Sequence, residues 1–154
     1  MAQMKLFLSL LLSICLMAPL VQATTTEVRY CDKKAYDVKV SGVDITPYPV
    51  VRGEDATFSI AANAGEPISG GKMVIDVSYF GWHIHTETHD LCQETSCPVS
   101  TGDFVVSHSQ VLPGFTPPGS YSLKMKMYDG NQRQLTCITF DFSIGFIAPS
   151  VANS

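Results

Sequence analysis

Four histidines are the first residues to test for chemistry. In His83-Ile84-His85 two imidazoles stand two residues apart, and on an extended strand alternate side chains share a face where a metal could bridge them. His89 follows closely in sequence. A zinc site also needs a third or fourth donor with supporting hydrogen bonds. His-Ile-His on an alternating strand reads more simply as a polar face, so no metal site is assigned. Ser107-His108-Ser109 sets hydroxyls beside an imidazole, yet neighbouring strand residues point to opposite faces and no Gly-x-Ser-x-Gly elbow is present. The carboxylates Glu54 and Asp55 follow Gly53 in a turn, and Glu87 and Asp90 precede Cys92; both groups read as solvated loop charge. The expectation is a protein with no catalytic residue and no cofactor, not an enzyme.

Charge narrows the partners. The chain has 154 residues with 10 Lys and Arg against 14 Asp and Glu. Loss of an N-terminal segment carrying Lys5 leaves a net charge of −5, without the basic excess that nucleic-acid binding requires. Lys124 and Lys126 share one face of a strand and could attract anionic headgroups, but ordinary solubilising charge explains them as well. No Asn-x-Ser/Thr acceptor is present.

The first 23 residues read as a signal peptide. Lys5 precedes an uncharged apolar run from Leu6 to Met17, and Val21-Gln22-Ala23 offers small residues for cleavage after Ala23. The run is short of the ~20 residues of a membrane helix, and Thr24-Thr25-Thr26-Glu27 follows at once. The expected location is the secretory pathway, ending outside the cell or in a vacuolar or lysosomal lumen. Residues 24–154 are expected to form one domain.

Cys15 departs with the signal, leaving Cys31, Cys92, Cys97 and Cys137 in an oxidising compartment. Three pairings are formally possible. Cys92 and Cys97 bracket only four residues and can meet, which leaves Cys31 to Cys137. That longer bridge closes a loop worth ~4.7 kcal/mol of unfolded-chain entropy. A four-cysteine zinc site lacks the two paired short spacings it would need.

Turn residues at short intervals, including Ser69-Gly70-Gly71, Pro117-Pro118-Gly119 and Asp129-Gly130-Asn131, separate segments of strand length. Tyr121, Leu123, Met125 and Met127 alternate with polar residues, as do Ile138, Phe140, Phe142, Ile144 and Phe146. Earlier runs place Val38 and Val40 on one face, with Gly42 shifting the phase before Ile45, then Phe58, Ile60 and Ala62. A third run, Met73, Ile75, Val77 and Tyr79, continues through Phe80, Trp82 and Ile84 with a parity switch, for which a bulge or bend near Gly81 is expected. With pieces near Val28–Tyr30 and Phe104–Val111, about seven strands result, as in an immunoglobulin-like two-sheet β-sandwich. The inward set would be long and aromatic: Phe58, Met73, Tyr79, Phe80, Trp82, Tyr121, Met125, Met127, Phe140 and Phe142.

Residues Pro117–Asp129 and Leu135–Ile144, together with the placing of Cys31, the Cys92–Cys97 loop and Cys137, resemble the ML lipid-recognition domain over nearly all of residues 27–146. The nearest likeness is to the plant phosphatidylglycerol/phosphatidylinositol transfer-like group, related to the Niemann-Pick type C sterol carrier. That carrier has an additional disulfide near its N-terminus, where this chain has a single cysteine.

The resemblance implies a sterol or phospholipid held between two sheets, entering at one end, with transient contact to membranes or a receptor by a monomeric protein. By rough alignment the mouth falls between the segment ahead of Cys92 and the Val111–Phe115 loop, implicating Ile84, Leu112 and Phe115. Phe58, Ile60, Tyr79, Tyr121, Leu123, Met125 and Phe140 would form the cavity wall. The family also allows a different role, an interaction or defence-signalling protein that recognises a protein partner with lipid as a modulator.

Overall fold

The computed structural model describes residues 23–146. The assigned signal segment through Gln22 and the chain beyond Phe146 lie outside the described residues. Nine strands and one helical turn are present among them: β1 (Thr24–Thr26), β2 (Arg29–Tyr30), β3 (Val38–Thr46), β4 (Asp55–Ala64), β5 (Gly71–Tyr79), β6 (Trp82–Asp90), α1 (Leu91–Glu94), β7 (Gly102–Val111), β8 (Gly119–Asp129) and β9 (Gln134–Ile144). They form an all-β sandwich of a four-stranded sheet, β1-β3-β4-β7, and a five-stranded sheet, β2-β9-β8-β5-β6.

Alternation decides which side chains lie between the sheets. β8 buries Tyr121, Leu123, Met125 and Met127, and β9 buries Ile138, Phe140, Phe142 and Ile144. Across from them, β4 buries Ala56, Phe58, Ile60, Ala62 and Ala64. In β3 the register against β4 shifts between Val40 and Gly42, and the buried set moves to Val43 and Ile45.

The run from Met73 to Ile84 is two strands, not one. Phe80 and Gly81 have φ of 48° and 81°, and Tyr79 pairs with Trp82 across them. Two successive positive φ angles make a two-residue reversal whose twist suits an antiparallel hairpin. The expected bend near Gly81 is thus a full reversal, and the bulge sits elsewhere. Val77 faces His85 and Ser78 faces His83, leaving Ile84 as the extra residue. Phe80 and Trp82, expected inside, are 72% and 78% exposed because Phe80 sits in the turn itself and Trp82 opens the edge strand β6. This split and the short β1 account for nine strands where seven are expected.

The Asp129–Asn131 turn is fastened by one carboxylate. Oδ1 of Asp129 accepts from the backbone N–H groups of Asn131 and Arg133, both at 2.9 Å. Cys31 is bonded to Cys137 and Cys92 to Cys97. The first bridge holds the chain after β2 against β9, and the second closes the segment around α1.

Candidate functional site

A cavity of about 410 Å³ opens between the sheets at one end of the sandwich, within the size range of small-molecule sites. The strands contribute inward residues to its lining: Phe58 from β4, Val77 and Ile75 from β5, Tyr121 and Leu123 from β8, Ile144 and Phe142 from β9. The opening is framed by Ile84 of β6 and by the loop that carries Leu112, Pro113, Phe115, Thr116 and Pro117. One wall is polar: His85 and Glu87 on β6, His108 and Gln110 on β7.

Aromatic packing fixes the wall. The ring of Phe142 meets Phe58 edge-on at 5.4 Å between centroids and stacks on Tyr121 at 5.5 Å. Tyr121 in turn lies 4.7 Å from Tyr79. Both phenols are satisfied by the framing loop: Tyr121 Oη donates to the carbonyl of Pro117 at 2.7 Å, and Tyr79 Oη to that of Pro118 at 3.0 Å. Burial pushes the Tyr121 phenol above its ordinary pKa, so it stays a neutral donor.

Six of the ten residues named from sequence line this cavity: Phe58, Ile84, Leu112, Phe115, Tyr121 and Leu123. Four do not. Ile60, Met125 and Phe140 are each the next inward residue along their strands, where the sheets close and the space is filled. Tyr79 stands behind Tyr121 and holds Pro118. Sequence reasoning missed Ile75, Val77, Phe142 and Ile144, which share the faces it had identified, and the polar wall. His108 could have been found, since it follows Val106 at the strand period of two.

The bulge at Ile84 also separates the histidine pair. His83 faces the outer network, 2.7 Å from Thr86 Oγ1 and 3.8 Å from Asp76, whereas His85 lines the cavity. They do not share a face as the alternation predicts.

The model of one protein family, described as the ML domain, matches residues 25–144. The chain belongs to that family. It is 34% identical to a Dictyostelium discoideum protein provisionally named as a phosphatidylglycerol/phosphatidylinositol transfer protein, over 72% of this chain and 80% of that one. A phosphatidylglycerol/phosphatidylinositol transfer protein of Debaryomyces hansenii is 31% identical, over 66% of this chain and 55% of its own length. Among solved structures, this ML domain is similar to a Niemann-Pick type C2 protein from the Japanese carpenter ant, with a TM-score of 0.62 and 12% identity, covering 77% of this chain and 99% of that one. Chicken MD-1, solved in complex with lipid IVa, gives a TM-score of 0.52 at 12% identity, covering 80% and 98%. At such identity these two show the shared fold. As an ML lipid-recognition domain, the protein is not an enzyme.

Proposed function

We propose that this ML domain carries an anionic phospholipid of the phosphatidylglycerol or phosphatidylinositol class, seating acyl chain between the sheets and exchanging it at membranes within the secretory pathway. The observation that carries the reading is the apolar cavity with its opening at Ile84 and the Leu112–Pro117 loop. Each methylene removed from water contributes ~0.8 kcal/mol, so a chain of ~16 carbons contributes on the order of 13 kcal/mol.

Two features favour an anionic phospholipid over a sterol. The names of the relatives point to that lipid class. Arg52 donates to the carbonyl of the lining residue Thr116 at 3.4 Å and to that of Phe146 at 3.3 Å, which sets a cation beside the opening. Phe80, Trp82 and Phe115 are exposed, and Tyr79, in ring contact with Phe80, touches the loop that carries Phe115. Such side chains partition into the membrane interface, a basis for transient docking by a monomer. The two disulfides suit an oxidising lumen.

Lipid extraction from the protein purified out of its native source, followed by mass spectrometry, tests the reading. Bound phosphatidylglycerol or phosphatidylinositol is expected. Absence of bound lipid, together with failure to take up fluorescent phospholipid from vesicles, overturns it; sterol alone would overturn the phospholipid assignment.

A further inference from the structure

His108 is the one buried histidine among the described residues. It comes from β7, at the edge of the four-stranded sheet, and meets Glu87 and His89 of β6, at the edge of the other sheet. Glu94 joins them from α1, a turn fixed by the Asp90 carboxylate accepting from the Cys92 N–H at 2.8 Å and by the Cys92–Cys97 bridge. Nε2 of His108 lies 3.4 Å from Oε1 of Glu87, and Nε2 of His89 lies 3.5 Å from Oε2 of the same carboxylate. On the opposite side of both rings, Nδ1 of His108 is 3.3 Å and Nδ1 of His89 is 3.5 Å from Glu94.

These contacts are not hydrogen bonds. Both ring nitrogens of His108 and Nε2 of His89 are shut off from solvent, and none has a hydrogen-bond partner among the described residues. Buried polar atoms without partners are rare in native proteins and require a cause. A metal between the two Nε2 atoms and Glu87 is such a cause: Zn²⁺ bound tetrahedrally at 2.0–2.1 Å holds its donors about 3.3–3.4 Å apart, near the 3.4 and 3.5 Å from each Nε2 to the Glu87 carboxylate.

We propose that Glu87 and the Nε2 atoms of His89 and His108 form a binding site for a divalent transition metal of the zinc type. The three donor atoms lie within 4.8 Å of one another. Two imidazoles with a carboxylate are donors that suit Zn²⁺, whereas Ca²⁺ and Mg²⁺ require oxygen-rich sets. Glu94 completes the arrangement as a positioning residue. With a metal bound, Glu94 would accept from the Nδ1–H groups beside it, the contact that fixes the tautomer and ring orientation of a ligating histidine. Metal ligation requires the imidazoles in their neutral form, and the two carboxylates would then supply the charge of −2 that a divalent cation cancels. The metal would clasp the free edges of β6 and β7 along the polar wall of the cavity, whatever that cavity holds.

Titration of the purified, chelator-treated protein with Zn²⁺ in a calorimeter tests the assignment. One saturable site per chain is expected, and Co²⁺ in its place should give the visible absorption of a tetrahedral centre. His108→Ala and, separately, the more exposed His89→Ala should abolish binding, while Glu94→Gln should weaken it roughly 10–100-fold. His83→Ala, on the outer face, should bind as the parent does. Thermal melts in chelator establish that each variant is folded. No saturable binding to the folded parent, or binding unaltered in folded His89→Ala, overturns the proposal, as does loss of binding in His83→Ala.

Discussion

The hydroxyl of Tyr121 donates to the carbonyl of Pro117 at 2.7 Å, so a side chain on the cavity wall holds the loop that frames the opening. Tyr121→Phe keeps the ring and its stacking on Phe142 but leaves that carbonyl without its donor. Stability should fall by about 1 kcal/mol in chemical denaturation. The loosened loop should also release fluorescent phospholipid faster in stopped-flow exchange. An unchanged release rate would count against the loop as the gate.

Phe115 is 87% exposed and lines the opening, so Phe115→Asp should leave the melting temperature nearly unchanged, as surface substitutions within ~0.5 kcal/mol do. Lipid uptake should drop sharply, because an entering chain must pass a carboxylate that is costly to desolvate. Uptake equal to the parent's would move the entrance elsewhere.

Arg52→Gln separates headgroup recognition from chain burial. Uptake of phosphatidylglycerol should fall several-fold, while uptake of a zwitterionic lipid with the same chains should change little. Equal losses for both lipids would show that Arg52 merely supports the loop through its bonds to the Thr116 and Phe146 carbonyls.

Asp76 accepts from Thr86 at 2.6 Å and from Lys126 at 3.0 Å on the outer face of the five-stranded sheet, and these bonds hold its carboxyl below the usual range. A carboxylate with a lower pKa folded than unfolded stabilises the fold above the unfolded value, and that contribution fades as pH falls through the folded one. Asp76→Asn should cost about 1.5 kcal/mol at neutral pH. The gap from the parent should narrow once the pH drops below the unfolded carboxylate value of about 3.9. Urea titrations across that window measure it; a constant gap contradicts the assignment.

The two bridges should differ in weight. Paired Cys31→Ser and Cys137→Ser substitutions open a long loop and should lose up to ~4.7 kcal/mol, whereas opening the short Cys92–Cys97 loop should lose about 2 kcal/mol. Denaturant midpoints of the two double variants give the order.

Strand faces were legible wherever a polar residue alternated with an apolar one, as at Tyr121–Met127 and Ile138–Ile144. The reversal at Phe80-Gly81 was hidden because phenylalanine rarely adopts positive φ, so the apolar run reads straight through it. The extent of the cavity was hidden for another reason. Phe58 and Ile60, or Leu123 and Met125, are equivalent in periodicity, and only the local separation of the sheets makes one of each pair a lining residue and the other packed core. The approach of His108 to His89 joins edges of different sheets, a distance no strand pattern encodes.

β6 is a free edge among the described residues, long and close to several exposed aromatic side chains. Such an edge would ordinarily invite another chain to add a strand and begin aggregation. The surplus residue at Ile84 breaks the regular spacing of its unpaired amides, and the imidazole and carboxylate side chains from His83 to Asp90 make it a poor template. The kink that parts two histidines therefore also blunts the exposed edge beside a greasy rim.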